Sequence, residues 1–319
     1  MNFEILIQNG STGYKPLVKD GAEWTTERRG SPGRLKFTVL KDDIINFTEG
    51  NGVRLTVDGV KVFYGFVFTK KRNKDDFIEV TAYDQLRYLM NKDTYVYTNR
   101  TASDVIRMIA ADFNLQVGNL EQTTFRIPSR VEDNTTLFDI IYNALDLELT
   151  NRNKLFVLYD DFGKITLKSL EQMKVGVLLD DETGLNFDYT SSIDDTTYNR
   201  IKLSFENEET GKRDIYIAQD GKNINNWGVL QYFDTLQEGE NGEVKANALL
   251  SLYNAKTRNL KINNALGDLR VRAGSMPVVK LDLGDVKVQN HLLVEKCVHK
   301  FSESEHFMDL TLRGGEFIG

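Results

Sequence analysis

The sequence predicts an α+β protein, mainly β, in which two small β-barrel domains flank a mixed α+β middle region. Three observations predict it. Both ends carry short alternating apolar runs separated by turn residues, the middle carries helix-start patterns, and the two ends echo each other at an offset of 230 residues. The boundaries fall at 1–92, 93–172 and 173–319, the last part including one helix.

The first part opens with Phe3 to Gln8, an apolar run ended by Asn9-Gly10. Leu35 to Val39 alternates, and so does Val53 to Val57, with Asp58-Gly59 following as a hairpin turn. Val62 to Phe68 is apolar and aromatic, and Phe77 to Thr81 returns from the polar turn Lys70-Lys71-Arg72-Asn73-Lys74-Asp75-Asp76. Short strands with frequent turns make a small barrel or sandwich.

In the middle part, Thr101-Ala102-Ser103-Asp104 reads as a helix start, a hydroxyl cap followed three residues on by an acid. Val105, Ile106, Ile109 and Phe113 follow at helical spacing. The pattern recurs at Thr135 to Asp139, before Ile140, Ile141, Ala144 and Leu145. A hairpin then runs from Lys154 to Tyr159, through Asp160-Asp161-Phe162-Gly163, and back over Lys164 to Leu167.

The last part returns to strands. Arg200 to Phe205 and Arg213 to Ile217 flank the loop Glu209-Thr210-Gly211-Lys212. Ala246, Leu249, Leu250, Leu252 and Tyr253 predict one amphipathic helix after Asn241-Gly242. Leu292 to Leu312 forms two strands around Ser302-Glu303-Ser304-Glu305. Here the echo is found: Val62-Phe63-Tyr64 aligns with Leu292-Leu293-Val294, and Phe77 to Thr81 aligns with Phe307 to Thr311. After a short insertion, Val53 to Val57 aligns with Val279 to Leu283. Two versions of one barrel in a chain would let a trimer present six nearly equivalent units.

Composition narrows the function. A chain of 319 residues, 40% hydrophobic and 27% charged, is ordinary for a folded globular protein. Its single cysteine, Cys297, excludes an internal disulfide and fits a reducing compartment. The longest stretch without a charge, Asn223 to Phe233, is too short to span a bilayer as a helix, and the N-terminus does not read as a secretory signal. The Asn9, Asn46, Asn99 and Asn134 sequons are therefore read as chance matches. A net charge of −7 argues against nucleic-acid binding as the main task.

No catalytic, cofactor-binding or metal-binding residue is assigned. The sequence lacks a Gly-x-Ser-x-Gly elbow, a His-Glu-x-x-His pair, a phosphate loop and a dinucleotide fingerprint. His291, His299 and His306 cluster near Cys297, but a hairpin turning at 302–305 separates Cys297 from His306 by ~13 Å, too wide for one metal. Asp160-Asp161, Asp180-Asp181-Glu182 and Asp194-Asp195 are adjacent carboxylates in turns, not carboxyls facing across a cleft. The run Lys70 to Lys74 reads as a solvated turn or a contact with an acidic protein surface. Arg28, Arg29, Arg34 and Lys36 around Gly30-Ser31-Pro32-Gly33 suit a protein interface.

Five segments resemble the XkdQ/YqbQ-like proteins of PBSX-type prophages: Gly30 to Phe37, Thr81 to Leu89, Leu158 to Ile165, Val271 to Ser275 and Met308 to Gly315. The resemblance extends over essentially the whole chain, and its motifs are framework motifs. It implies a tail hub protein of a contractile phage or phage-tail-like particle, non-enzymatic and without cofactors, with two tube-like barrels per chain. A homotrimer would join the hexameric tail tube to the trimeric spike in the baseplate, with tube, spike and baseplate proteins as partners and DNA only as passing cargo. Such a particle component would assemble in a bacterial cytoplasm without inserting in a membrane. An acidic lumen wall would keep a passing genome from sticking. Two rivals from other classes are a tail-associated cell-wall hydrolase and a carbohydrate-binding adhesin module. The latter would need several of the 33 aromatic residues on one exposed face.

Overall fold

Alternation along the first part does what the pattern requires. In β1 (Phe3–Asn9) Ile5 and Ile7 face inward, and β2 (Thr12–Tyr14) is a short hairpin return. Then come β3 (Val18–Glu27), β4 (Arg34–Leu40), β5 (Gly52–Val57), β6 (Val60–Arg72) and β7 (Phe77–Tyr83). Val53, Leu55, Val57, Phe63, Val67, Ile78 and Val80 fill the core beneath them. The β5–β6 hairpin turns at Asp58 (φ 48°) and Gly59 (φ 79°), the doubly left-handed turn that Asp-Gly favours. This computed structural model describes residues 1–313 apart from 73, 75, 184–185, 195, 208–210, 237–240 and 285. Asn73, Asp75, Asp195, Glu209, Thr210, Gly314 and Gly315 of the sequence motifs thus lie outside the described residues.

The middle part begins with a 3₁₀ turn, Gln85–Met90, and continues with β8 (Lys92–Arg100), α1 (Ala102–Asp112), β9 (Val117–Leu120), β10 (Ile127–Thr136) and α2 (Leu137–Arg152). The hairpin β11 (Phe156–Asp160) and β12 (Ile165–Ser169) closes it. Thr101 caps α1 in a reciprocal box with Asp104, and Thr136 caps α2 by accepting from the Asp139 amide. Val105, Ile106 and Ile109 of α1 pack with Ile140, Ile141 and Leu145 of α2 and with Leu158, Ile165 and Leu167 beneath.

Beyond lie β13 (Lys174–Asp180), β14 (Asn186–Ser192), β15 (Arg200–Asn207), β16 (Lys212–Gln219), α3 (Gly221–Trp227), β17 (Gln231–Thr235) and α4 (Gly242–Tyr253). The chain ends with β18 (Thr257–Leu266), β19 (Met276–Asp282), β20 (Lys287–His291), β21 (Leu293–Phe301) and β22 (His306–Arg313). The chain divides into two compact units, 1–188 with 260–319, and 189–259. The smaller unit packs β16-β15-β17 around Ile201, Leu203, Ala218, Leu236 and the α4 residue Ala246.

The β-barrel expectation differs from what the strands do. An eleven-stranded sheet runs β14-β18-β22-β21-β3-β4-β7-β6-β5-β1-β2, and no sheet among the described residues closes into a barrel. The physical reason lies in β3, which pairs with β4 on one side and β21 on the other, so strands from both ends of the sequence share one sheet. The echoed hairpins β6–β7 and β21–β22 both sit in it. Their upstream counterparts part company: β5 pairs with β6, whereas β19 joins β13 and β20 in a separate sheet. Among the described residues no helix is long and apolar enough to cross a membrane.

Candidate functional site

Four of the five framework segments meet at one buried point in the larger unit. The loop before β4 and the end of β7 are tied first: the Gly33 amide donates to Asp84 Oδ2 at 2.9 Å, and the Asp84 amide donates back to the Gly33 carbonyl at 3.0 Å. Asp84 Oδ1 accepts from the Leu86 amide at 3.0 Å, which caps the 3₁₀ turn. Next to it, Gln85 Nε2 donates to Asp160 Oδ2 at 3.1 Å, bringing in the β11–β12 hairpin. The Val271 to Ser275 segment supplies the cation, for Arg272 Nη1 donates to the Asp160 carbonyl at 3.0 Å.

Arg272 is half-buried, with its Nε shut away from solvent. Its guanidinium lies 4.2 Å from the Tyr159 ring centroid and 5.7 Å from that of Trp24. Burial opposes its charge, and Tyr159, Asp160 and Asp84 favour it. The neighbouring carboxyls feel the same desolvation. Burial, then the proximity of Asp160, drives Asp84 well above the carboxylate range, and burial lifts Asp160 to about 6. The backbone fits as closely. Ala273 donates to Thr26 Oγ1 at 2.9 Å, and Gly274 at φ 90° lies where any Cβ would collide with Val157 Cγ1.

A second buried cluster adjoins it. Pairing of β3 with β21 sets Trp24 opposite His299, and their rings stack at 5.1 Å between centroids. His299 Nε2 lies 2.8 Å from the Val271 carbonyl, so Nε2 carries the proton and Nδ1 accepts from His306 Nε2, also at 2.8 Å. Burial and the neighbouring His306 hold His299 down near 3, so it is neutral at physiological pH. Cys297 Sγ sits 3.2 Å from His299 Nε2, and burial pushes its thiol far up. The hairpin pairs Phe301 with His306, and His299, at 3.2 Å from Cys297 Sγ and 2.8 Å from His306 Nε2, links the two side chains far more closely than the ~13 Å expected from the strand spacing. No His/Cys/Asp/Glu group able to hold a metal occurs among the described residues.

With Asp84 and Asp160 only 3% and 6% exposed, this arrangement works as a fastener of four chain segments. The other singled-out residues fall into similar roles. Asp180 accepts from the Glu182 and Thr183 amides in a turn. The cations expected at an interface are spent inside the chain: Arg28 pairs with Glu295 at 2.7 Å, Arg29 grips Asp146 with both terminal nitrogens, and Arg34 lies 3.7 Å from Glu23. Lys36 remains exposed. Lys70 donates to the Phe47 carbonyl, and Lys71 pairs with Glu79 at 3.2 Å. His291 Nδ1 lies 2.8 Å from the Met276 carbonyl, apart from the other two histidines.

Sequence reasoning missed Arg272 as the centre, since a single arginine in an Arg-Ala-Gly-Ser run carries no periodic signal. It also missed Glu148, 1% exposed, whose carboxylate accepts from the Thr124 and Phe125 amides and the Thr124 hydroxyl. The aromatic face was hidden in alternation: Phe63 and Val67 enter the core, whereas Tyr64, Phe66 and Phe68 project from the opposite side of β6.

Comparison with known proteins agrees with this framework. YqbQ of Bacillus subtilis (strain 168) is 30% identical over 314 residues, covering 94% of each chain. The phage-like element PBSX protein XkdQ of the same strain is 28% identical over 314 residues with the same coverage. In fold, the chain is similar to the 43 kDa tail protein of prophage MuSo2 from Shewanella oneidensis, with a TM-score of 0.72 over 97% of this chain and 98% of that one, at 11% identity. A YQBQ-like family model matches residues 22–313, from β3 to β22, and the chain belongs to the YQBQ-like family.

Proposed function

We propose that this chain is a non-enzymatic structural protein of a phage or phage-like tail, working at the baseplate hub. The observation that carries the reading is the end-to-end likeness in fold to a prophage tail protein, in a chain whose PBSX relative covers it equally fully. The buried fastener supports it: the charged groups at the centre lock segments together and face no cleft.

In this reading three copies form a ring between the hexameric tube and the trimeric spike. Residues 1–92 and 173–319 supply the two related tube-like parts, and residues 93–172 decorate the ring and contact baseplate neighbours. Closed barrels then arise only when sheet edges of neighbouring copies meet. The acidic excess lines the channel, through which DNA passes without binding. Tube, spike and baseplate proteins are the partners, and the particle assembles in the host cytoplasm.

Native mass spectrometry of the full chain, alone and with the tail-tube and spike proteins of the same particle, tests this reading. Three copies per complex are expected. A complex with any other copy number overturns the adapter role, and lysis of purified peptidoglycan by the chain alone overturns the non-enzymatic one.

A further inference from the structure

The outward side of β6 is not a solvated face. Tyr64, Phe66 and Phe68 form a continuous file of rings with Tyr83 of β7, Tyr88 of the 3₁₀ turn and Phe162 at the β11–β12 tip. Successive centroids are 5.9 Å (Phe162–Tyr64), 5.6 Å (Tyr64–Phe66), 6.4 Å (Phe66–Tyr88), 6.1 Å (Tyr88–Phe68) and 5.5 Å (Phe68–Tyr83). All six rings are half-buried. Two cavities of about 480 and 400 Å³ lie on either side of Tyr64, the first lined also by Phe162 and the second by Phe66 and Tyr88, and the two together are termed the groove. Phe162 is held at φ 49°, a left-handed conformation that bulky side chains avoid, and its ring lies against Tyr64.

The charges beside this groove are unbalanced. Arg54 lies 5.5 Å from the Tyr64 ring centroid, and Lys61 lies 5.3 Å from that of Phe162. Among the described residues neither has a carboxylate within ion-pair distance, while Glu4 in the same wall is engaged by Lys15 at 2.7 Å. Two unspent cations over rings, in a chain of net charge −7, complement an acidic occupant that carries apolar side chains.

We propose that this groove binds an extended acidic segment of a partner protein, its apolar side chains on the ring file and its carboxylates on Arg54 and Lys61. The sheet edge favours a polypeptide. β2 pairs only with Ile7 to Asn9, so among the described residues no strand covers the outer edge of Phe3 to Leu6, and Glu4 and Leu6 of that stretch line the groove. An added strand gains main-chain hydrogen bonds there, with alternate side chains on the face of Glu4 and Leu6 beside the first cavity; at ~4.8 Å per strand it lies about 14 Å from β6, so the ring file is reached by chain that continues across the sheet face. The Gln85 side chain in the second cavity's wall is spent, donating to the Gln116 carbonyl and Asp160 and accepting from the Gln116 amide, whereas the exposed Asn114 and Gln116 side chains of that wall stay open to a sugar, which the test therefore includes.

This site stands whether or not the chain works in a tail, and its test reads the isolated full chain. A fluorescein-labelled octapeptide, Glu-Tyr-Glu-Val-Glu-Tyr-Glu-Val, is titrated by anisotropy beside its counterpart with every Glu replaced by Lys. The acidic peptide is expected to bind at least tenfold tighter than the basic one and to weaken with added salt. The Arg54→Glu/Lys61→Glu variant, changed only at exposed positions and checked by its melting temperature, is expected to lose at least tenfold in affinity. No binding up to millimolar protein overturns the proposal. So does binding unaffected by the double variant, or tighter binding to hyaluronate than to the acidic peptide.

Discussion

Replacing Arg272 by Met removes the guanidinium and keeps the length and most of the apolar volume of the side chain. The consequence depends on pH because two carboxyls sit beside it. Asp160 is raised from 3.8 to about 6, so its contribution to stability is fully present below pH 3.8 and is lost as pH rises through 6. That loss amounts to about 3 kcal/mol, from ~1.36 kcal/mol per pH unit. Arg272 limits it, since its charge lowers both Asp84 and Asp160. Without it, ionising Asp160 at pH 8 leaves buried charge uncompensated, which costs ~3–5 kcal/mol. At pH 5 Asp160 is mostly protonated and the loss shrinks toward one hydrogen bond and two ring contacts, ~1–2 kcal/mol. His299 acts in the same direction. Held near 3, it loses stability as pH falls below 6.5, and Arg272 contributes to holding it down, so the substitution relieves part of that loss at pH 5. R272M is therefore expected to destabilise by at least ~1 kcal/mol more at pH 8 than at pH 5. Urea unfolding followed by Trp24 fluorescence, in a Trp227→Phe background that removes the other tryptophan, measures it. Equal destabilisation at the two pH values, or more at pH 5, would refute the reasoning.

Three further outcomes follow from the packing. Gly274→Ala is expected to cost about 2–4 kcal/mol in urea unfolding, since φ 90° disfavours any side chain and the new methyl meets Val157; adding Val157→Ala should recover only the collision. Glu148→Ala strips the acceptor from two amides and a hydroxyl and should cost ~2–4 kcal/mol, whereas Glu148→Gln keeps one acceptor oxygen and should cost less, as thermal melts can compare. Cys297, buried and with its thiol pushed far up, should react with a thiol-specific disulfide reagent only in denaturant; labelling of the native chain within minutes at pH 8 would contradict that burial.

Residues whose structure is set by near neighbours were legible in the sequence. Thr101 and Thr136 cap helices three residues before Asp104 and Asp139, Asp58-Gly59 makes its hairpin, and Ser302 to Glu305 turns β21 into β22 with Phe301 opposite His306. Asn241 was placed just ahead of its helix and caps it. What escaped was long-range. Strand β3 leaves no clean alternation because its register shifts between Lys19 and Ala22, where Asp20 and Gly21 both take positive φ. Without β3 the two ends of the chain read as separate barrels; with it they share a sheet.

The same distinction separates the motifs from their chemistry. Gly33, Asp84, Asp160 and Arg272 each belong to a segment that resembled the family, yet nothing in the spacing of 33, 84, 160 and 272 says that they touch. A helix face or a strand repeats, so its partners can be inferred from period. A buried ion cluster assembles one residue from each distant segment, and its only local traces are features that look like ordinary turns: a Gly-rich loop, an Asp-Gln pair, an Asp-Asp-Phe-Gly tip, an Arg-Ala-Gly-Ser corner. Each corner presents the one backbone shape or charge that the other three require, which is why a change at Arg272 should be felt through the protonation of Asp160, 112 residues away in sequence.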